Sequence, residues 1–327
     1  APLALPSLPI PFLSPPDSAL PFDALLEATK ARAGVRSRLP PMPAPRTPGM
    51  QLPTPKAFHP VMPDELSKWS SFFARLSAHH SFSDICWATR GRHGFTPLPP
   101  GVGVHPAASL HNTLCTGGAP VQFVPDTPAQ DLEAALPYGC HRSATLAADY
   151  VHGELAEQVS FGHICLLSWS LAQNLPNLQL TTVGGIPQAG RRPRLIYGYT
   201  WSGTNRAVAK QAPPEAMQFG GALQRLLHAI VDADPGHGPV HMAKVDLSDA
   251  YMRIWLWLAD LPKLAFVVPP HPGDPKPLIG FHLSLPMGFV ESAPYFCSST
   301  ETAADLINHA WGVANQAPAH PLERFTA

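Results

Sequence analysis

The chain has 327 residues, with 22 Lys and Arg against 23 Asp and Glu and a formal net charge of −1, a near-balance that excludes a polybasic arm or an acidic tail as its main working part. Charged residues make up 14% of it, where a globular chain carries about 25%, and its 41 prolines are more than twice the usual share of about 5%. Much of the chain is therefore not expected in packed helix or sheet, although 45% apolar residues, among them 15 Phe and 7 Trp, can supply a core.

Length allows about two domains. The five cysteines, Cys86, Cys115, Cys140, Cys165 and Cys297, are odd in number and lack the paired spacing of a zinc site or disulfide framework. They read as reduced thiols of an intracellular protein, with cytoplasm and nucleus both open. The apolar start, Ala1 to Leu13, is cut by prolines and follows no basic residues, so it is not read as a secretory signal. No stretch approaches the roughly 18 unbroken apolar residues of a membrane helix, and no membrane partner is expected. The missing initiator Met suggests a chain cut from something longer.

Fifteen of the prolines fall in the first 60 residues. Proline fixes φ and lacks the N–H donor, so residues 1–60 read as a Pro-rich, largely disordered or polyproline-like arm. A linker or tail is the plainer reading. The functional one is docking of Leu39-Pro40-Pro41-Met42-Pro43 in an aromatic groove of a protein partner. Residues 61–137 receive no role. They hold a short helical pattern from Asp64 to Ala88 (Leu66, Trp69, Phe72, Phe73, Leu76) and then a Gly/Pro-rich stretch to about Pro128. His79, His80 and Cys86 lie close in sequence, but without a third and fourth ligand they read as solvated or core residues.

Residues 138–327 are better organised. Ser143 can cap a helix over about 143–161 carrying Leu146, Tyr150, Val151, Leu155 and Val159 at helical spacing. Leu178 to Ile186 and Arg194 to Thr200 read as two strands of a hairpin with a basic tip, Arg191, Arg192 and Arg194. Pro213-Pro214-Glu215 opens a second helix running to about Val231. An apolar strand, Val240 to Val245, then ends in Asp246-Leu247-Ser248-Asp249-Ala250-Tyr251. Strands at Leu264 to Val268 and Leu278 to Leu283 lead to Leu285-Pro286-Met287-Gly288, a Gly-containing turn that enters a helix through about Trp311.

This order of blocks resembles the reverse transcriptases of retroelements, the RNA-directed DNA polymerases. Asp246-Leu247-Ser248-Asp249-Ala250-Tyr251 is similar to that family's D-L-x-x-A-Y block. Leu285 to Gly288 followed by Ser292-Ala293-Pro294 is similar to its L-P-x-G-x-x-x-S-x-P block. Arg194-Leu195-Ile196 is similar to its fingers block, which ends here at Asn205. The resemblance covers about residues 138–311.

It implies an α+β fold, with fingers and the first part of a palm whose sheet is antiparallel. It also implies a nucleotidyltransferase using Mg²⁺ or Mn²⁺, acting on an RNA or DNA template-primer and deoxynucleoside triphosphates. In such an enzyme a primer 3′-hydroxyl attacks the α-phosphate, and two ions stabilise the attacking and leaving oxygens. Asp246 would be the catalytic carboxylate and a metal ligand, with the Leu247 carbonyl a second ligand. The amides of Asp249 and Ala250 would face the triphosphate, and the Tyr251 ring would exclude a ribose 2′-hydroxyl. Arg194 would meet the β and γ phosphates, while Met287 and Gly288 border the incoming base and the template. A core aromatic is the competing reading of Tyr251, and a solvated hairpin charge that of Arg194. Ser292 and Pro294 do local work, capping and starting the helix, under either.

The chain departs from the family pattern at Gly198, where an acid is usual, and at Gln188, where a lysine is usual. Arg191 and Arg192 are candidates to compensate. The third block, an aromatic-x-Asp-Asp turn, occurs nowhere in the sequence, so the expectation is a fragment ending before that block and inactive alone. Two alternatives stand beside a working polymerase. One is a catalytically inactive remnant that at most binds nucleic acid; the other is a partner-binding protein built around the Pro-rich arm.

Overall fold

The computed structural model describes residues 64–91, 93–99, 105–188, 191–217, 226–228, 230–237, 240, 247, 249–270 and 277–312. The Pro-rich arm, the strand expected before Asp246, and Asp246 itself lie outside them, as does the stretch 218–225 of the helix expected after Pro213. The chain divides into two compact units, Ala1–Pro55 with Gln218–Asp246, and Lys56–Met217 with Leu247–Ala327. In the smaller unit, residues 226–228 and 230–232 are helical, and His228 lies 3.9 Å from Asp232 one turn on. All further elements belong to the larger unit, which is mixed α/β.

Among the described residues four helices precede residue 139: α1 (Asp64–Ser77), α2 (Phe82–Thr89), α3 (Ala108–Thr116) and α4 (Leu132–Tyr138). The apolar spacing expected of α1 is used as read: Leu66 and Phe73 are buried, with Trp69, Phe72 and Leu76 packed beside them. Burying such a side chain contributes about 1.5–3 kcal/mol. At α2, Ser81 accepts the Asp84 N–H and donates to its carboxylate, satisfying an orphan donor of the first turn. Cys86 is buried in the core, while His79 and His80 are exposed. Residues 64–138, which received no role from sequence, thus supply part of the same core as the blocks downstream.

The helix expected over 143–161 is two helices, α5 (Arg142–Leu146) and α6 (Ala148–Ser160), broken at Ala147. Ser143 does not cap it. Its hydroxyl accepts the N–H of Gly185, which ties α5 to the hairpin, and Leu146, expected on the buried face, is 77% exposed. Then follow β1 (Ile164–Ser168), which the sequence reading did not assign, and α7 (Trp169–Ala172). Next come β2 (Leu180–Thr181), β3 (Val183–Gln188), β4 (Arg191–Tyr197) and α8 (Thr204–Ala207). A 3-10 turn at Pro214–Ala216 replaces the start of the helix expected after Pro213. The unit closes with β5 (Ala265–Val267), β6 (Leu278–His282) and the long α9 (Ser292–Gly312).

Two sheets result: β1-β6-β5-β2, and the antiparallel hairpin β3-β4. The antiparallel expectation holds for β1 with β6 and for β6 with β5, but β2 joins β5 in parallel, Leu180 opposite Ala265. The sheet is therefore mixed. A parallel neighbour needs a long connection, and the whole hairpin and first block lie between these strands. The outer edge of β2 is closed by Gln130, whose carboxamide takes the Leu180 N–H at 2.6 Å and donates to the Leu180 carbonyl at 2.9 Å. No helix among the described residues is long and apolar enough to cross a membrane.

Candidate active site

The second block forms a turn held by several hydrogen bonds. Leu285 N–H donates to the Ile254 carbonyl at 3.0 Å, and the Ser292 hydroxyl donates to the Pro286 carbonyl at 2.6 Å, closing the turn on itself as α9 begins. Gly288 has φ +97, where side chains are strained, and a Cβ there would sit 2.9 Å from the Tyr197 carbonyl at the end of β4. Close approach of the turn to the hairpin thus requires glycine. Met287 is 37% exposed beside it. Asn205 completes the attachment: its side chain donates to the Gly288 carbonyl at 3.0 Å and accepts the Val290 N–H at 2.9 Å.

The hairpin places Arg194 opposite Ile186. Alternation along β4 turns Leu195 and Tyr197 toward the core and leaves Arg194 exposed. Gly198 is closely packed. A Cβ at that position would lie 2.5 Å from the Thr182 hydroxyl, and the Gly198 N–H donates to the Thr182 carbonyl, so a side chain there would require the buried Thr182 side chain to move. The hairpin tip, 189–190, lies outside the described residues.

The first block is more open. Leu247 is 47% exposed, and Asp249 is exposed with φ +53, a left-handed conformation that Asp tolerates better than most residues. Tyr251–Arg253 forms a 3-10 turn entered from Ala250. The Tyr251 ring meets Phe296 of α9 edge-on at 5.8 Å; burial chiefly, and then Cys297, raises its phenol above the ordinary range. His163 stands close enough to feel both acid and base: burial lowers its pKa, Asp249 opposes that, and Arg253 adds to it. Among the described residues no group of three or more His, Cys, Asp or Glu could hold a metal ion, so the described donors do not form a metal centre.

After Tyr251 the chain runs beside the second block, Trp255 bridging Ser284 and Leu256 donating to the Leu283 carbonyl. The turn at 285–292 therefore touches the continuation of the first block on one side and the end of the fingers block on the other. Sequence reasoning left two of its supports unassigned. Asn205 was only the end of a motif, and its bonds span 83 and 85 residues. Glu291, 1% exposed, accepts the Gln211 N–H at 3.0 Å; an acid inside an apolar run was its only signal. A third cluster lies behind the first block, where the Arg90 guanidinium sits 3.4 Å and 3.6 Å from the ring centres of Trp87 and Trp255.

No family model and no curated protein matches the chain.

Proposed function

We propose that the chain carries the fingers and first part of the palm of a retroelement reverse transcriptase, an RNA-directed DNA polymerase. It would extend a DNA primer on an RNA or DNA template with deoxynucleoside triphosphates and Mg²⁺ or Mn²⁺. In this reading β3-β4 is the fingers hairpin and β1-β6-β5-β2 the palm sheet. The observation that supports it is convergence on one turn: Asn205 holds Gly288 and Val290, and Ile254, three residues past Tyr251, holds Leu285. Segments that carry a nucleotide-site pattern in sequence are thus hydrogen-bonded neighbours in the fold.

Each described residue has the exposure its role needs. Arg194 is exposed on a strand that buries its alternate residues, so its planar guanidinium is available to phosphate oxygens. Among the described residues no backbone bond uses the amides of Asp249 or Ala250, and the reading assigns them to the triphosphate. Tyr251, braced on Phe296, presents a fixed ring against a 2′-hydroxyl. Bare Gly288 beside exposed Met287 lets a base approach the backbone. Asp246 would be the catalytic carboxylate.

The deciding experiment is to read the transcript past codon 327 and assay the protein it encodes. An in-frame aromatic-x-Asp-Asp block, with metal-dependent DNA synthesis that Asp246→Asn abolishes while the fold survives, is the expected result. Synthesis unchanged by Asp246→Asn overturns the assignment. A stop codon or frameshift before such a block leaves the inactive remnant as the reading.

A further inference from the structure

Two large aromatic side chains lie against each other on the surface, Trp201 within the fingers block and Tyr138 outside all three. Tyr138 and Trp201 stack with ring centres 4.3 Å apart and planes 24° from parallel, yet they remain 50% and 43% exposed. Both are held by anchored backbone. Behind Tyr138, Gly139 turns the chain with φ +65, the Cys140 thiol reaches the Val267 carbonyl at 2.9 Å, and His141 N–H donates to the Val183 carbonyl at 3.0 Å. Past Trp201, Ser202 N–H donates to the Gly198 carbonyl, its hydroxyl donates to the Tyr199 carbonyl, and it also meets the Thr204 hydroxyl at 2.8 Å. The rings are displayed by rigid loops.

Their position is tied to the second block through one side chain. Asn205 donates to Thr200, the residue before Trp201, and also to the Gly288 carbonyl. An exposed arginine follows each ring in sequence: Arg142 opens α5 after Tyr138, and Arg206 lies on α8 after Trp201. The acids of α4 lie toward its other end, Asp131 engaged as its cap and Glu133 exposed in its first turn.

We infer that Tyr138 and Trp201 form a stacking platform for an unpaired base of a single-stranded nucleic acid, its phosphates flanked by Arg142 and Arg206. The inference deepens the polymerase reading and rests on it, the strand being the template. Aromatic stacking accepts every base because each has a π face, and the arginines supply the sequence-independent attraction. A neutral proline segment would make no use of that charge.

The test is fluorescence anisotropy of the full chain with a fluorescein-labelled oligothymidylate and with an abasic strand of equal length, which keeps the phosphates and removes the bases. Trp201→Leu and Tyr138→Leu should each weaken oligothymidylate binding about tenfold. Trp201→Phe should retain it, and abasic binding should be the same for every variant. Circular dichroism melting checks folding; if Trp201→Leu fails to fold, Tyr138→Leu and Trp201→Phe carry the comparison. If wild type and both leucine variants bind oligothymidylate equally, the platform is wrong and the polymerase reading stands. Failure of the wild-type chain to bind either strand overturns the platform and the template part of that reading together. Trp201-dependent binding of a peptide of residues 39–43, with neither strand bound, overturns it in favour of proline docking.

Discussion

The two turns of the candidate site are built in opposite ways. At 285–292 the backbone is pinned from three directions, by Ile254, Asn205 and Ser292, and Leu285, Phe289 and Glu291 are buried. At 249–253 the backbone bonds among the described residues run from Arg253 to Ala250, from Ile254 to Tyr251 and from Gly94 to the Arg253 carbonyl, Asp249 and Arg253 are exposed, and a ring contact joins the turn to α9. The turn at 285–292 is the more tightly held of the two, and the turn at 249–253 the more exposed. Strain at Asp249 and order at Gly288 are two sides of that division.

Acid should break both regions at once, with the largest effect. His282, on the strand leading into the pinned turn, is fully buried between the Tyr197 and Phe266 rings. Burial, with His163 adding, lowers its pKa from 6.5 to about 3. A folded-state pKa below the unfolded one means that the native protein binds fewer protons. The stability is therefore present above about 6.5 and lost as pH falls toward about 3, by about 1.4 kcal/mol per pH unit. Urea midpoints measured from pH 7 to pH 4 should fall steeply, and His282→Phe should flatten the fall. An equal slope in that variant would move the effect to His163, His93 and His111, whose pKa values burial also lowers.

A smaller effect separates the turns. Asn205→Ala leaves the Gly288 carbonyl and the Val290 N–H without their partner and should cost about 2 kcal/mol, two ordinary hydrogen bonds. Hydrogen exchange should then rise at Val290 and stay constant at Ile254, whose N–H bonds to Tyr251. The smallest effect sharpens the contrast from the other side. Asp249→Gly relieves the positive φ and should stabilise the fold by up to about 1 kcal/mol. A loss of stability on equilibrium unfolding would show that the carboxylate, and not the backbone, holds this turn.

Local pattern carried part of this structure. The spacing of Leu66, Phe73 and their neighbours reads as α1, and the turn residues between β3 and β4 read as a hairpin. The Leu285 to Pro294 block reads as a turn entering a helix. Side-chain period and turn chemistry are properties of adjacent residues, so they are visible in one dimension. β1 escaped notice because a short, wholly buried apolar run has no alternation to betray it. The break at Ala147 escaped because Ser143 is drawn to Gly185, far along the chain.

By itself, then, the sequence determined the buried face of α1, the hairpin and the turn that enters α9. Only the tertiary structure decided that β2 runs parallel to β5, that residues 64–138 share the core, and that a side chain at position 198 would meet Thr182. It alone joined Asn205 to a turn 83 residues away. The physical reason is the same for each: a hydrogen bond or a steric limit between distant segments depends on which surfaces meet after burial, and no local residue pattern records its partner.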